Sequence, residues 1–222
     1  RSLTMILFVG LVGFIDDLLG WVKGGLSRRV RILLTIVAAI PLVVINAGVS
    51  TVNLPIIGSI DLWIFYPLVI IPLAVGFVTT TFNMLAGFNG LEGGMGILIL
   101  SYFSFVAYVT GSPWLAVVGL CMVSSLLAFM VFNWSPAKVF PGDVLTYSVG
   151  ALIAGMAIVG SFEKIAIIVF IPYILEVILK LRGKLEIPSF GKPQKNGGLK
   201  LRQKKICSLN HFRSEEHTSE LQ

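Results

Sequence analysis

Residues 114–132 read WLAVVGLCMVSSLLAFMVF, an uninterrupted apolar run without a charged side chain. A run of about 20 apolar residues is long enough to cross the hydrocarbon core of a bilayer as one helix. The rest of the chain has a similar character, because hydrophobic residues make up 56% of its 222 positions and charged residues only 13%. A soluble domain usually carries about 25% charged residues. The sequence therefore predicts an integral membrane protein built from helices.

Seven apolar segments follow one another along the chain and predict an all-α, polytopic transmembrane bundle. They cover residues 3–14, 30–45, 62–80, 96–110, 114–132, 144–160 and 165–179. Prolines lie inside or near the ends of several segments, and membrane helices tolerate a proline kink where neighbouring groups satisfy the freed carbonyls. The sequence contains no internal repeat, so we predict a single transmembrane domain over residues 1–212.

Both ends of the chain are unlike those of a complete gene product. Arg1 stands where a start methionine is expected, and residues 213–222 read RSEEHTSELQ, a polar stretch unlike the rest. We expect this stretch to be a non-native tail derived from a sequencing adapter, and it is left out of the prediction of the fold. We also expect the transmembrane domain to be truncated at both ends.

Basic residues are distributed unevenly over the connections between the apolar segments. When successive connections are placed on alternating sides of the membrane, one side carries 14 Lys and Arg residues and the other carries only Lys164. The positive-inside rule predicts that the basic side is cytoplasmic. This asymmetry accounts for most of the net charge of +6, so the charge does not indicate a nucleic-acid partner.

Carboxylate and carboxamide side chains cluster on the same predicted cytoplasmic side, in three loops that are far apart in sequence. The loops read GFIDDLLG at residues 13–20, NMLAGFNGLEGG at residues 83–94 and FNWSPAKVFPGD at residues 132–143. The opposite side offers only Asp61 and Glu163. Ionisable residues in a membrane protein usually face a cavity in the protein, and converging oxygen ligands suit Mg²⁺ or Mn²⁺. The pattern predicts a metal-dependent site on the cytoplasmic side.

Each loop also has a purely structural interpretation. Asp16 and Asp17 point about 100° apart on a helix, so one can face a metal or phosphate while the other binds a basic neighbour, or both can be solvated. The glycine-rich second loop either lets backbone N–H groups approach a ligand or forms a hinge between two helices. Asp143 follows Pro-Gly, where an aspartate can cap the next helix. Phe140 offers a flat face for a nucleotide base, or belongs to an interfacial aromatic belt.

At these residues the chain resembles the polyprenyl-phosphate N-acetylhexosamine-1-phosphate transferase family. The matching blocks are FIDDLLG, NMLAGFNGLEGG and FNWSPAKVFPGD, and the resemblance extends over residues 3–205. The core of the second block, Asn89-Gly90-Leu91-Glu92, is similar to dolichyl-phosphate members, whereas bacterial members carry an aspartate-glycine-leucine version. The resemblance implies that the chain covers about seven helices of a roughly ten-helix catalytic fold.

The resemblance implies roles for acidic, amide and basic residues near the phosphates. Asp16, Asp17 and Asp143 match the essential acids of the family, which makes them the candidate catalytic residues. Asn83 and Asp143 match the positions that bind Mg²⁺, with Mn²⁺ as the alternative. Arg31 stands where the family keeps a basic residue against phosphate.

The resemblance also implies a nucleotide pocket and a sugar pocket. Gly87, Asn89 and Phe140 match the uridine pocket, in which the phenylalanine stacks on uracil and the asparagine bonds to it. The sugar loop follows the seventh helix, but this chain lacks the His-Arg-Ile-Pro type of motif found there in animal members. Lys192 and Lys195 are the candidate replacements, which leaves the identity of the sugar open.

The reaction implied by the resemblance is transfer of N-acetylglucosamine-1-phosphate from UDP-N-acetylglucosamine to dolichyl or another polyprenyl phosphate, with release of UMP. The implied protein is multi-pass with a cytoplasmic site, in the plasma membrane of an archaeon or the endoplasmic reticulum of a eukaryote, and a homodimer is compatible with the family. Two alternatives stay open. One is a bacterial-type relative that uses another UDP-sugar and undecaprenyl phosphate. The other is a cation-coupled transporter, although transporters place their acids near the bilayer midplane.

Overall fold

The computed structural model describes residues 2–44, 51–54, 58–183, 192–193, 199–200 and 207–211. Most of this part of the chain is helical, which confirms the predicted all-α class. The helices are α1 (Ser2–Lys23), α2 (Arg28–Val37), α3 (Ile40–Val44), α4 (Ile71–Met84), α5 (Leu91–Val109), α6 (Pro113–Asn133), α7 (Asp143–Val159), α8 (Glu163–Val169) and α9 (Ile171–Arg182). A π-helical segment, Tyr66–Ile70, leads directly into α4. Two short antiparallel strand pairs are β1 (Thr51–Leu54) with β2 (Gly58–Asp61) and β3 (Lys192–Pro193) with β4 (Leu199–Lys200).

The helical bundle has the lengths and the surface of a membrane protein. Four apolar stretches are long enough to cross a bilayer: Leu3–Gly20, Tyr66–Met84, Leu91–Val109 and Pro113–Asn133. Helix α7 is apolar but shorter. Large apolar side chains also cover the outside of the bundle, such as Phe105 and Val131, which are 64% and 76% exposed. Lipid is the favourable environment for an apolar surface of this extent.

Prolines determine where several helices begin. Pro41, Pro67 and Pro172 each take the second position of a helical element that begins after a break, near a helix start, where proline is favoured. Pro72 lies where the π-helical segment passes into α4. As a result, the predicted segments at residues 30–45 and 165–179 each form two helices instead of one. The first predicted segment differs in another way, because α1 continues to Lys23 and carries the acidic pair within the helix rather than in a loop after it.

Helix α7 lies at the centre of the bundle. It packs against α1, α4 and α5, and its buried side chains belong to both hydrophobic clusters found among the described residues. Its sequence, DVLTYSVGALIAGMAIV, is apolar on all sides and rich in small residues, which is typical of a helix that is buried all round.

Two glycines bring the neighbouring helices into close contact with α7. A Cβ at Gly13 of α1 would lie 2.5 Å from the Asp143 carbonyl oxygen, and a Cβ at Gly150 of α7 would lie 2.8 Å from the Thr79 Cα of α4. Real Cβ atoms do not approach other atoms so closely, so neither position accepts a larger residue without a shift of a helix. These contacts set the distance between the polar ends of α1, α4 and α7.

Candidate functional site

The first turn of α7 is capped by a side chain from α1. The Asp17 carboxylate accepts hydrogen bonds from the backbone N–H groups of Asp143 and Val144, at 3.0 and 3.2 Å. The alternative interpretation, in which Asp143 only caps α7, does not hold, because Gly142 takes the cap position and Asp143 is the first helical residue. A Cβ at Gly142 would overlap the Asp17 carboxylate. With the free N–H groups of α7 satisfied by Asp17, the Asp143 carboxylate is available for other contacts.

Asp16 is the member of the acidic pair that binds a basic neighbour. It is only 3% exposed, and its Oδ2 lies 2.7 Å from the Arg31 Nε of α2. Its Oδ1 accepts a hydrogen bond from the Leu26 N–H at 2.5 Å, and the same Arg31 Nε donates to the Leu26 carbonyl at 3.3 Å. The connection between α1 and α2 is therefore folded around one buried carboxylate.

Arg31 and Asn83 both reach Asp143. The Arg31 Nη1 lies 3.7 Å from the Asp143 Oδ2. The Asn83 Nδ2, near the end of α4, donates a hydrogen bond of 2.8 Å to the Asp143 Oδ1. The structure thus brings together Asp16, Arg31, Asn83 and Asp143, which come from four different helices.

Two cavities lie on either side of this cluster. One has a volume of about 310 Å³ and includes Asn83, Tyr147 and Lys180 in its lining. The other, of about 490 Å³, is lined by both acids of α1 and by glycines of the α1–α2 connection. Arg31 and Asp143 line both cavities, so they form the wall that the two share. A site of this shape can hold two anionic groups side by side, one in each cavity.

The surroundings of Asp143 disfavour its negative charge. Burial raises the pKa of Asp143, which precedes the apolar part of α7, to about 7; the Asp16 carboxylate adds to the rise, while Asn83 and Arg31 oppose it. Buried carboxylates that lie close together resist ionisation unless positive charge is near. A divalent cation would supply such charge.

The residues present fit a Mg²⁺ site that the substrate completes. Among the described residues, no three His, Cys, Asp or Glu side chains form a group that could hold a metal. Asn83 and Asp143 offer amide and carboxylate oxygens, which are hard ligands suited to Mg²⁺ or Mn²⁺. Mg²⁺ is commonly bound by one or two carboxylates together with substrate phosphates. The donor set therefore fits the predicted ion as a shared site of protein and substrate.

A buried asparagine connects the second and third loops. Asn133, at the end of α6, is fully buried; its Oδ1 accepts from the Gly90 N–H at 3.0 Å and its Nδ2 donates to the Val139 carbonyl at 2.8 Å. Gly90 directly follows Asn89, and Val139 directly precedes Phe140. The backbone of these two candidate uridine-binding residues is thereby held by one side chain. Asn89 itself is exposed, and Phe140 is 71% exposed.

The second loop has the backbone geometry of a tight turn. Gly87 has a φ of 143° and Gly90 a φ of 79°, both in the region that favours glycine. The Glu92 carboxylate interacts with the Gly87 backbone N–H and closes the loop on itself. Of the two candidate sugar ligands, Lys195 lies outside the described residues, and only the backbone of Lys192 is described, in β3.

Three residues that line the site or support its loops were not predicted from the sequence. Lys180 of α9 and Tyr147 of α7 line the smaller cavity, and Asn133 connects the loops. In the sequence, Lys180 is one of many basic residues of the tail, and Tyr147 lies within an apolar segment. Lys180 and Tyr147 carry no local signal, since tertiary packing alone brings them to the site. Asn133 could have been found from its position in the third block, seven residues before Phe140.

Relatives of the chain are found in archaea, eukaryotes and bacteria. A protein of Saccharolobus solfataricus with the provisional name UDP-N-acetylglucosamine–dolichyl-phosphate N-acetylglucosaminephosphotransferase is 40% identical over 208 residues, which cover 93% of this chain and 63% of that protein. The Dictyostelium discoideum UDP-N-acetylglucosamine–dolichyl-phosphate N-acetylglucosaminephosphotransferase is 32% identical over 88% of this chain and 55% of its own length. A phospho-N-acetylmuramoyl-pentapeptide-transferase of Streptococcus thermophilus is 34% identical over 78% of this chain and 52% of its own length.

The chain thus spans somewhat more than half the length of the curated relatives that it matches. The sequence profile described as glycosyl transferase family 4 matches residues 2–161, which is well over half of the chain. The matched region includes Asp16, Asn83 and Asp143, the three residues around which the polar cluster is built. From the extent of this match we conclude that the chain belongs to glycosyl transferase family 4.

Proposed function

We propose that the chain is the catalytic core of an enzyme that transfers N-acetylglucosamine-1-phosphate from UDP-N-acetylglucosamine to dolichyl or a similar polyprenyl phosphate, with release of UMP. The observation that carries the proposal is the meeting of Asp16, Arg31, Asn83 and Asp143 between two adjoining cavities. The site faces the cytoplasm in this proposal, because the connections that supply it hold most of the basic residues.

The proposed donor and acceptor rest on the relatives. The relatives that match over 93% and 88% of this chain are named for UDP-N-acetylglucosamine and dolichyl phosphate. The bacterial relative, named for the N-acetylmuramoyl-pentapeptide, matches over a smaller share, 78%. The Asn-Gly-Leu-Glu core of the second loop also favours the dolichyl type.

The polar cluster has the groups that phosphoryl transfer requires. Such transfer depends on in-line positioning and on neutralisation of charge more than on covalent help from the protein. Asn83 and Asp143 are the proposed metal ligands, and Mg²⁺, when bound, supplies positive charge for the diphosphate and for the leaving UMP. Arg31 lies in the wall between the cavities, from which its guanidinium can hold the acceptor phosphate beside the donor. Lys180 adds a second positive charge in the smaller cavity.

The proposed reaction needs no general base, so the two acids of α1 have positioning roles. An acceptor phosphate oxygen attacks the phosphorus that carries the sugar, the bond from that phosphorus to the bridging oxygen breaks, and UMP leaves with the electron pair. A phosphate monoester has a second pKa near 6 and is mostly dianionic at pH 7, so the attack needs no general base. Asp16 orients Arg31, and Asp17 fixes the first turn of α7 and with it Asp143.

The test is a transfer assay on the protein expressed from its complete gene and purified in detergent. UDP-N-acetylglucosamine and UDP-N-acetylmuramoyl-pentapeptide are each offered with dolichyl phosphate or undecaprenyl phosphate in the presence of Mg²⁺. We expect a lipid-linked sugar and an equal amount of UMP, with UDP-N-acetylglucosamine as the better donor. Release of UDP would contradict transfer of a sugar phosphate, and preference for the pentapeptide donor would favour the bacterial type. Folded protein that gives no product with any pair would refute the proposal.

A further inference from the structure

The segment Cys207–His211, called the tail strap below, is attached to α9 through a fully buried carboxylate. Glu176 accepts hydrogen bonds at both oxygens, from the Ser208 hydroxyl to Oε1 and from the Leu209 N–H to Oε2, each at 2.7 Å. The Lys180 Nζ lies 3.8 Å from the same Oε1. A buried carboxylate is tolerated when it is hydrogen-bonded and paired with a charge, and Glu176 meets both conditions. The attachment of the strap to α9 is therefore specific.

The tail strap is also held together internally. The Cys207 N–H donates to the His211 Nδ1 at 3.1 Å, and the His211 N–H donates to the Ser208 carbonyl at 3.1 Å. The Ser208 hydroxyl, which donates to Glu176, accepts in turn from the Asn210 N–H at 3.3 Å. The side chains at 207, 208, 210 and 211 are buried. The strap thus forms a compact turn.

The tail strap is hydrogen-bonded to the second loop directly beside the candidate nucleotide residues. The Asn210 Nδ2 donates a hydrogen bond of 2.7 Å to the Ala86 carbonyl. Ala86 precedes Gly87, and the loop is held again at Gly90 by the side chain of Asn133. The residues that are proposed to bind uridine therefore lie between two fixed points, one supplied by α6 and the other by the tail strap.

We propose that Asn210 is a positioning residue for the nucleotide-sugar donor: the tail strap, anchored on Glu176, holds the second loop in the conformation that binds the uridine diphosphate. The inference rests on the proposed function in one respect, the assignment of Gly87 and Asn89 to the uridine pocket. A loop that is already ordered binds its ligand without losing conformational freedom at that step, so a released loop binds more weakly. The lipid acceptor does not depend on this contact.

Two variants of Asn210 test the strap. Asn210→Asp keeps the size of the side chain but sets a carboxylate against the Ala86 carbonyl, and Asn210→Ala removes the contact without adding charge. Ser125→Ala is the control, since Ser125 is exposed and donates a hydrogen bond to a carbonyl of its own helix. The readouts are the Kd of UDP by calorimetry with Mg²⁺, hydrogen exchange of the loop peptide, and the KM of each substrate, all on protein expressed from the complete gene.

We expect both Asn210 variants to raise the Kd of UDP and the KM of UDP-N-acetylglucosamine roughly tenfold, Asn210→Asp more than Asn210→Ala. Exchange of the loop amides should rise, while the KM of the prenyl phosphate and the behaviour of Ser125→Ala stay unchanged. Unchanged UDP binding in both variants, or an equal rise in both KM values, would overturn the proposal. Wild-type protein that binds UDP without transferring sugar phosphate would refute the proposed function, but the effect of the tail strap on UDP binding would still be measured. Wild-type protein that does not bind UDP would refute both.

Discussion

Asp16 and Asp17 are neighbours in sequence but serve different partners. The angle between adjacent helical residues predicted that they diverge, and a basic neighbour for one of them was one of the two alternatives that the sequence left open. The partner of Asp17 could not be predicted, because the N–H groups that it caps lie 126 and 127 residues further along the chain. The same limit left the capping interpretation of Asp143 open at the level of the sequence. A Pro-Gly-Asp sequence is compatible with a capping aspartate, and only the packing of α1 shows that another side chain takes that role.

Two replacements of Asp17 should show whether its capping hydrogen bonds or its negative charge stabilise the protein. Asp17→Ala removes the acceptor for two N–H groups, and we expect a loss of about 1 kcal/mol in the free energy of unfolding together with a drop in transfer, because Asp143 is no longer fixed. Asp17→Asn keeps a good capping side chain and should retain most of the stability. Thermal unfolding in detergent measures the first effect and the transfer assay the second. Equal stability of the two variants would contradict the capping role.

Helix α7 shows how far a pattern in sequence predicts an element and its role. The apolar run at residues 144–160 predicted a helical segment of the bundle, and the structure has α7 there, at the centre of the bundle. The helices it would contact could not be predicted, because an element that is apolar on all sides carries no preferred face. The breaks that divide the second and seventh segments each precede a proline, so the sequence contained that signal. The prolines at which kinks were predicted, Pro41 and Pro172, lie just after these breaks, where each segment is divided into two helices.

The close contact between α7 and α4 should be sensitive to a single methyl group. Gly150→Ala places a Cβ 2.8 Å from the Thr79 Cα, a backbone atom that can move only with its helix. We expect a loss of about 1–3 kcal/mol in the free energy of unfolding and a displacement of Asn83 from Asp143 that lowers transfer.

Gly94→Ala is the matched control for Gly150→Ala, since a Cβ at Gly94 in α5 meets no atom within 4 Å. Its stability should equal or slightly exceed that of the wild type, because alanine favours a helix over glycine. Thermal unfolding in the same detergent compares the two. A Gly150→Ala protein as stable as Gly94→Ala would show that the helices are not in the described contact.

At the scale of the whole molecule, the sequence predicted the helical membrane class and the meeting of the three polar loops, but not the individual contacts between them. The composition and the length of the apolar runs are sufficient to predict a helical membrane protein, since each helix must satisfy its own backbone hydrogen bonds in lipid. The three loops that carry oxygen ligands were grouped by assigning connections to alternate sides, and representatives of all three meet in the structure at Asp16, Asn83 and Asp143. Lys180 lines the smaller cavity and the tail strap contacts the second loop because α9 packs beside the site, and no local sequence pattern predicts that packing.

The orientation of the bundle can be tested with single cysteines at the two ends of α6. This helix has 21 residues and is therefore about 31 Å long, enough to span the hydrocarbon core. Cys121 and Cys207 are first replaced by serine, and Lys138→Cys and Thr110→Cys are then made separately, both at exposed positions. We expect a membrane-impermeant maleimide added to intact cells to label Thr110→Cys only, and inside-out vesicles to expose Lys138→Cys only. Labelling of both from one side would contradict the predicted orientation.

The central claim is that Asn83 and Asp143, which are 60 residues apart in sequence, act as one unit on the diphosphate. A double-mutant cycle on sugar-phosphate transfer tests this most directly, with Asn83→Ala, Asp143→Ala and the double variant compared at saturating Mg²⁺ and equal amounts of folded protein. Each single variant should lower kcat at least about a hundredfold, a loss typical of removing one group that stabilises charge in the transition state. The double variant should lose little more than the worse single variant, because residues of one unit are strongly non-additive. Losses that multiply, or near-normal transfer by either single variant, would contradict a shared site.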